Sequence, residues 1–176
     1  MRRFGAEVTW FPFDLHPEYS HAGIPRSQLV ARYGEDGIER VRRSFEAAGL
    51  VYSPNPVVVP NTMRALRVTE LARSRGLHEP VHDRLMQAYW EEGRDIGEPD
   101  ELRTLAVEAG LEPEEVDDVL GGDAYRDHVL GFTAQAQAIG ITGIPAFLLD
   151  RRLLVLGAQP REVFEQAFAQ LGSSEP

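Results

Sequence analysis

Residues 142–145 are the part of the chain whose types and order are best suited to chemistry. Thr142 and Gly143 indicate a turn, and Ile144 with Pro145 forms a rigid dipeptide that leads into an apolar run. Proline cannot donate to a strand ladder, so we expect Ile144 and Pro145 at the end of a sheet. An X-Pro bond in a tight turn is the usual place for a cis peptide. Such a bend leaves the backbone of Ile144 free to pair with an extended peptide, and a turn without a ligand is the alternative.

The other reactive side chains do not form a recognisable site. The sequence has no cysteine, which excludes disulfides, thiolate metal sites and thiol mechanisms within these residues. His78 and His82 are four residues apart, but Pro80 between them is expected to disrupt the shared helical face that a metal site needs. The serines lie in no nucleophile-elbow context, and no glycine-rich phosphate motif occurs. We therefore predict no catalytic residue, no metal and no nucleotide.

The elements that must position the loop are predicted from the spacing of apolar residues and from the prolines and glycines that begin and end helices. Residues 7–13 are predicted to be a strand, and residues 146–149 and 153–156 two further strands joined by a hairpin at 150–152. Between them the pattern predicts a series of helices, most of them begun by a proline and ended by a glycine. Asp123 is expected to cap the longest helix. The predicted fold class is α/β, with core residues 1–24 and 124–172, an all-helical insertion at 25–123, and a tail at 173–176.

Several segments in chain order resemble one known family. They are residues 10–17 (WFPFDLHP), 60–62 (PNT), 88–97 (AYWEEGRDIG), 109–111 (AGL), 140–147 (GITGIPAF) and 157–160 (GAQP). Residues 140–147 resemble the cis-proline loop of the thioredoxin superfamily. Together the segments, from about residue 8 to residue 171, look like the FrnE-like branch of the DsbA family, which is related to 2-hydroxychromene-2-carboxylate isomerase and kappa-class glutathione transferase. The resemblance implies a thioredoxin-like, DsbA-type fold with a helical insertion.

The chain departs from the family pattern at its beginning. The redox chemistry of the family lies in a Cys-x-x-Cys at the start of the first core helix, after the first core strand, and neither is present here. Residues 1–4 followed by Gly5 are typical of a helix C-terminus, with a frayed tail as the alternative, so the sequence predicts an N-terminally incomplete domain. The strand at 7–13 would then lack its neighbour. Unpaired buried backbone groups cost roughly 1–3 kcal/mol each, and the net stability of a domain is only about 5–15 kcal/mol. The chain alone is therefore expected to be marginally stable or unfolded, unless another chain fills the gap.

Three functional hypotheses follow from the resemblance. The first is a thiol–disulfide oxidoreductase whose cysteines lie outside this sequence, with Thr142, Gly143, Ile144 and Pro145 presenting the substrate. The second is a glutathione-dependent isomerase or transferase with a serine at the missing helix start. The third is a non-catalytic peptide-binding module. The implied ligand is a protein or peptide thiol, or glutathione, and a homodimer is left open.

Charge and hydropathy restrict the partners further. The net charge is −10 with a pI near 5.0, which argues against nucleic acid as a partner. Residues 91–127 carry fourteen acids and three arginines, a pattern typical of a solvated helical face, with a docking surface for a basic partner as the alternative. No apolar stretch approaches the roughly 20 residues of a membrane span, and no secretory signal is visible. A cytoplasmic location is therefore predicted.

Overall fold

A computed structural model describes residues 5–53 and 57–172. In chain order the elements are β1 (Ile24–Pro25), α1 (Arg26–Ala47), β2 (Val58–Val59), α2 (Met63–Ser74), α3 (His78–Trp90), α4 (Pro99–Glu108), α5 (Pro113–Gly121), α6 (Arg126–Ala138), β3 (Ala146–Leu149), β4 (Leu153–Leu156) and α7 (Arg161–Gly172). The chain divides into two compact units, Met1–Leu15 with Gly131–Pro176, and His16–Leu130. We call these the hairpin unit and the helical unit. The predicted helix end at residues 1–4 and the predicted tail lie outside the described residues.

The helical unit is built on four packed helices, α2 to α5. Their boundaries follow local chemistry: Pro99 and Pro113 stand at the first positions of α4 and α5, where a missing N–H costs nothing. At the start of α2, Asn61 Oδ1 accepts a hydrogen bond from the main-chain amide of Met63 at 3.0 Å. The helices enclose one apolar core, whose fully buried members include Val68, Val81, Leu85, Leu102, Leu105 and Val116.

A buried arginine fixes α5 against α2. Arg67 on α2 is 5% exposed and donates to the main-chain carbonyls of Val119, Gly122 and Ala124, the last at 2.7 Å. These carbonyls lie at and after the C-terminal end of α5, where helical partners run out. The guanidinium therefore satisfies several acceptors at once, as only its planar fork of donors can.

The hairpin unit is centred on β3 and β4. They pair antiparallel with Ala146 opposite Leu156 and Leu149 opposite Leu153. One face of this hairpin packs on α7, where the ring of Phe147 meets that of Phe164 edge-on with centroids 5.0 Å apart. The predicted hairpin is confirmed in both strands and in the connecting residues 150–152.

The predicted strand at residues 7–13 is wrong, because this segment forms no ladder with any described residue. It contacts instead the part of α6 from Gly131 onward, which belongs to the hairpin unit. The amide of Asp14 donates to Thr133 Oγ1 at 3.0 Å, and the ring of Phe11 stacks on that of Phe132 at 5.0 Å. A β-branched, aromatic segment favours a strand, but a strand exists only with a hydrogen-bonded partner.

Three further expectations differ from the structure. Asp123 does not cap the longest helix, since α6 begins at Arg126, whose amide bonds the Asp123 carbonyl at 3.1 Å. The longest helix among the described residues is α1, which is broken at Gly34. The short antiparallel pair of β1 and β2 was not predicted, because two residues per strand show no periodicity.

Candidate functional site

The loop of residues 142–145 connects α6 to β3 in the hairpin unit. Gly140, with φ of 88°, ends α6, and the amide of Ile141 returns to the carbonyl of Ala136 at 3.0 Å. At the other end, the amide of Gly157 donates to the carbonyl of Pro145 at 2.8 Å. The loop is therefore anchored on both sides by main-chain bonds, while its middle is left exposed.

The Ile144–Pro145 peptide bond is cis. Ile144 is 56% exposed, and Thr142 and Pro145 are also exposed, while Gly143 is half-buried. Among the described residues, neither the amide nor the carbonyl of Ile144 has a hydrogen-bond partner. The four residues predicted for the site thus lie together, with an unpaired peptide group at their centre.

The free backbone extends along β3. The bond between Gly157 and Pro145 marks these two residues as a hydrogen-bonded pair, and such pairs alternate with unbonded ones along an antiparallel ladder. Ala146 and Leu148 therefore turn their N–H and C=O groups away from β4, to the same side as the backbone of Ile144. Within the described residues β3 has no second neighbour. The edge formed by Ile144, Ala146 and Leu148 can accept an extended chain by strand addition.

Sequence reasoning missed the contribution of Gly157. Its amide fixes the Pro145 carbonyl, and its φ of 79° is a left-handed value that glycine adopts without a Cβ penalty. The available signal was the glycine itself, placed directly after an apolar strand.

Chemistry elsewhere in the chain is less favourable. His78 and His82 do share a face of α3, with stacked rings 5.6 Å apart. The reasoning from Pro80 was wrong, because it occupies the first turn, where its missing N–H is not needed. Burial lowers the pKa of both imidazoles. Still, the described residues hold no group of three His, Cys, Asp or Glu side chains that could bind a metal.

Five of the fourteen acids in residues 91–127 form ion pairs with arginines. Ion pairs join Arg75 to Glu115, Arg84 to Glu92 and Glu108, Arg94 to Glu92 and Glu101, and Arg103 to Asp117. This pairing agrees with a solvated face.

Across residues 5–53 and 57–172, no helix is long and apolar enough to cross a bilayer.

Comparisons with known proteins extend over almost the whole chain. The DSBA-like thioredoxin domain model matches residues 2–169. An uncharacterized protein of Bacillus subtilis, YwbO, is 28% identical over 171 residues, which cover 93% of this chain and 81% of that protein. The crystal structure of a probable DsbA oxidoreductase from Streptomyces coelicolor superposes with a TM-score of 0.88 at 34% identity, covering 99% of this chain and 79% of that one. The chain therefore belongs to the DsbA-like thioredoxin-domain family, and its fold is the mixed α/β, DsbA-type fold with a helical insertion.

Proposed function

We propose that this chain is the substrate-presenting part of a thiol–disulfide oxidoreductase, and that residues 142–145 bind an extended protein or peptide substrate. The observation that carries the proposal is the exposed backbone of Ile144 beside Pro145, which has no hydrogen-bond partner within residues 5–53 and 57–172, together with the edge of β3 that no strand of these residues covers. The family and a structural relative described as a probable DsbA oxidoreductase support the choice of chemistry.

The role of these residues is to bind and orient. An extended substrate pairs with the amide and carbonyl of Ile144, and its alternate side chains face the exposed apolar surface of β3. Thiol–disulfide exchange needs a thiolate that attacks a disulfide sulfur and releases the other sulfur as a thiolate. The 176 residues contain no cysteine, so under this proposal that thiolate comes from outside them. The FrnE-like branch and the cytoplasmic location are part of the same proposal.

The absence of cysteine from this sequence favours a second candidate, a peptide-binding module without redox activity. The same loop would hold the peptide, and glutathione, itself a small extended peptide, is a further candidate ligand. The two functions share a binding site and differ only in whether a thiol accompanies it.

Binding to the loop is tested with two substitutions at one position. Ile144→Pro removes the amide donor, whereas Ile144→Val keeps both the amide and an apolar side chain. We expect the affinity for a fluorescent extended peptide to fall about tenfold in Ile144→Pro, the value of roughly one hydrogen bond, and to stay within about twofold in Ile144→Val. Circular dichroism checks that both variants fold. Equal affinity in the two variants would contradict the proposed mode of binding.

The source of the thiol is tested separately, on the protein isolated from its own cells. Its mass is measured before and after alkylation with iodoacetamide. A mass above 19.7 kDa that increases on alkylation supports the oxidoreductase. A mass of 19.7 kDa with no alkylation, and no thiol-bearing partner in the purified material, supports the binding module instead.

A further inference from the structure

The bend in α1 is set by the backbone of one glycine. Gly34 has φ of 72° and ψ of 163°, a region that is essentially restricted to glycine. A Cβ built at this position meets no atom within 4 Å, so the space beside Gly34 is open. An open groove lies along it, lined by Val30, Glu35, Asp36, Ile38 and Glu39. The two halves of α1 therefore meet at a point where the chain has both torsional freedom and free space.

The half of α1 after the bend, residues 35–47, is attached lightly to the rest of the helical unit. None of the residues of α1, all of which the structure describes, is buried. Phe45 is half-buried, and its ring packs on those of Trp90 and Tyr52, with centroids 5.0 and 5.4 Å apart. We call these three rings the aromatic latch. Pairs of this kind add about 0.5–1.5 kcal/mol beyond their area burial, which is small beside the core of α2 to α5.

Tyr52 and Trp90, the two latch rings outside α1, are held by contacts that do not involve residues 35–47. The amide of Ser53 donates to the carbonyl of Trp90 at 2.6 Å, and Arg26 Nη2 donates to the hydroxyl of Tyr52 at 2.8 Å. Trp90 itself ends α3 and meets Tyr89 edge-on at 4.8 Å. Loss of Phe45 from the cluster would thus leave Tyr52 and Trp90 held in place.

Residues 35–47 also carry their own stabilising contacts. Arg42 pairs with Glu39 at i−3 and with Glu46 at i+4, and Arg43 pairs with Glu39. Hydrogen bonds from Arg42 and Arg43 lower the pKa of Glu39 to about 2. Because these pairs lie within one helix, they stabilise the helix itself but do not attach it to the rest of the helical unit.

We propose that residues 35–47 form a hinged arm that opens about Gly34 when Phe45 leaves the aromatic latch, while α2 to α5 stay folded. The opening exposes the rings of Trp90 and Tyr52 as an aromatic surface on the helical unit. The arm is a conformational device distinct from the loop of residues 142–145, and it does not depend on the proposed function of that loop.

The test is amide hydrogen exchange of the full chain, read peptide by peptide with mass spectrometry. A helix of this length is only marginally stable once it is detached, so in the unmodified chain we expect the amides of residues 38–47 to exchange at least about tenfold faster than those of α2, yet slower than unprotected amides. In Phe45→Ala we expect a further increase of about tenfold or more in the arm, with the rates in α2 and α3 unchanged. The matched control is Tyr33→Ala, which removes an exposed aromatic ring on the other side of the hinge and should change neither region.

A fluorescence measurement detects the same opening through the emission of Trp90, one of the rings that Phe45 contacts. The chain has two tryptophans, so Trp10→Phe leaves Trp90 as the single emitter. Phe45→Ala in this background should shift the emission to longer wavelength, whereas Tyr33→Ala should not. The proposal is overturned if the arm and α2 exchange at one common rate in the unmodified chain, or if Phe45→Ala accelerates both equally. It is also overturned if the arm amides exchange at the unprotected rate throughout.

Discussion

The helical unit and the hairpin unit differ in how much of their apolar surface they bury for themselves. Four helices in the former enclose a core of fourteen buried side chains. In the latter the buried side chains of the core are Leu149, Val155 and Ala167, surrounded by partly buried neighbours. Large apolar residues are exposed in both units; those of the hairpin unit include Trp10, Phe11, Ile139, Ile144, Leu148 and Leu156.

The difference teaches that stability and binding capacity are divided between the two units. Large buried cores provide most of the free energy of folding, and the helical unit has the larger one. Exposed apolar surface and free strand edges are what binding sites are made of, and the hairpin unit has both. The expectation that the chain alone is marginally stable or unfolded stays a prediction.

The largest effect is expected from Leu105→Ala in α4. Leu105 is 0% exposed in the helical core, so its truncation leaves a cavity and should lower the free energy of unfolding by about 3–4 kcal/mol. The matched substitution is Leu148→Ala in β3, where the side chain is 49% exposed and the loss should be about 1 kcal/mol or less. Urea denaturation followed by circular dichroism measures both. An equal loss at Leu148 would mean that this face of the hairpin is covered in solution.

The next effect tests whether the helical unit depends on Arg67. Arg67→Met keeps much of the side-chain volume but leaves the carbonyls of Val119, Gly122 and Ala124 without their donor, so we expect a loss of about 2–3 kcal/mol. Arg103→Met is the control. Arg103 pairs with Asp117 on the surface, where such pairs contribute about 0–1 kcal/mol. Similar urea midpoints for the two variants would show that the buried guanidinium is replaceable.

The smallest effect concerns pH. Burial lowers the pKa of His78 and His82 below the ordinary 6.5, with nearby Arg73 acting in the same direction on His78, while Glu70 and Asp83 oppose it. The unfolded chain then binds protons that the folded chain resists, so stability is fully present above pH 6.5 and falls as the pH drops below it. The urea midpoint should be lower at pH 5 than at pH 7.5.

Replacement of both histidines by glutamine should reduce that difference between the two pH values. His16→Gln with His21→Gln serves as the control, since these residues lie outside α3. A midpoint difference that persists unchanged in the His78 and His82 variant would assign the pH effect to other groups.

Local chemistry explains which parts of the fold were predictable from the sequence. Pro99, Pro113 and Gly110 act on their own immediate neighbours, so the bounds of α4 and α5 could be predicted without a structure. The same holds for the hairpin, because only residues 150–152 separate two apolar runs of strand length. The loop of residues 142–145 was predictable because Gly143 and Pro145 lie two positions apart in the sequence and act on their immediate neighbours.

The errors concern interactions between residues far apart in the sequence. Residues 7–13 have strand composition but no partner strand among the described residues. The pairing of Ile24 with Val59 and the reach of Arg67 to the end of α5 are likewise set by tertiary packing. Pro80 was misjudged for a different reason, since its effect depends on where the helix begins, and helix ends are the least certain part of any pattern.

The open edge of β3 has a consequence for the behaviour of the protein at high concentration. A flat apolar strand edge is a template on which further copies of the same strand can stack. At neutral pH the net charge of −10 opposes such stacking by mutual repulsion. Near the pI of about 5.0 that repulsion disappears, and we expect turbidity to appear there first. At neutral pH the negative charge of the acidic helices of residues 91–127 would thus keep the protein soluble despite the open edge of β3.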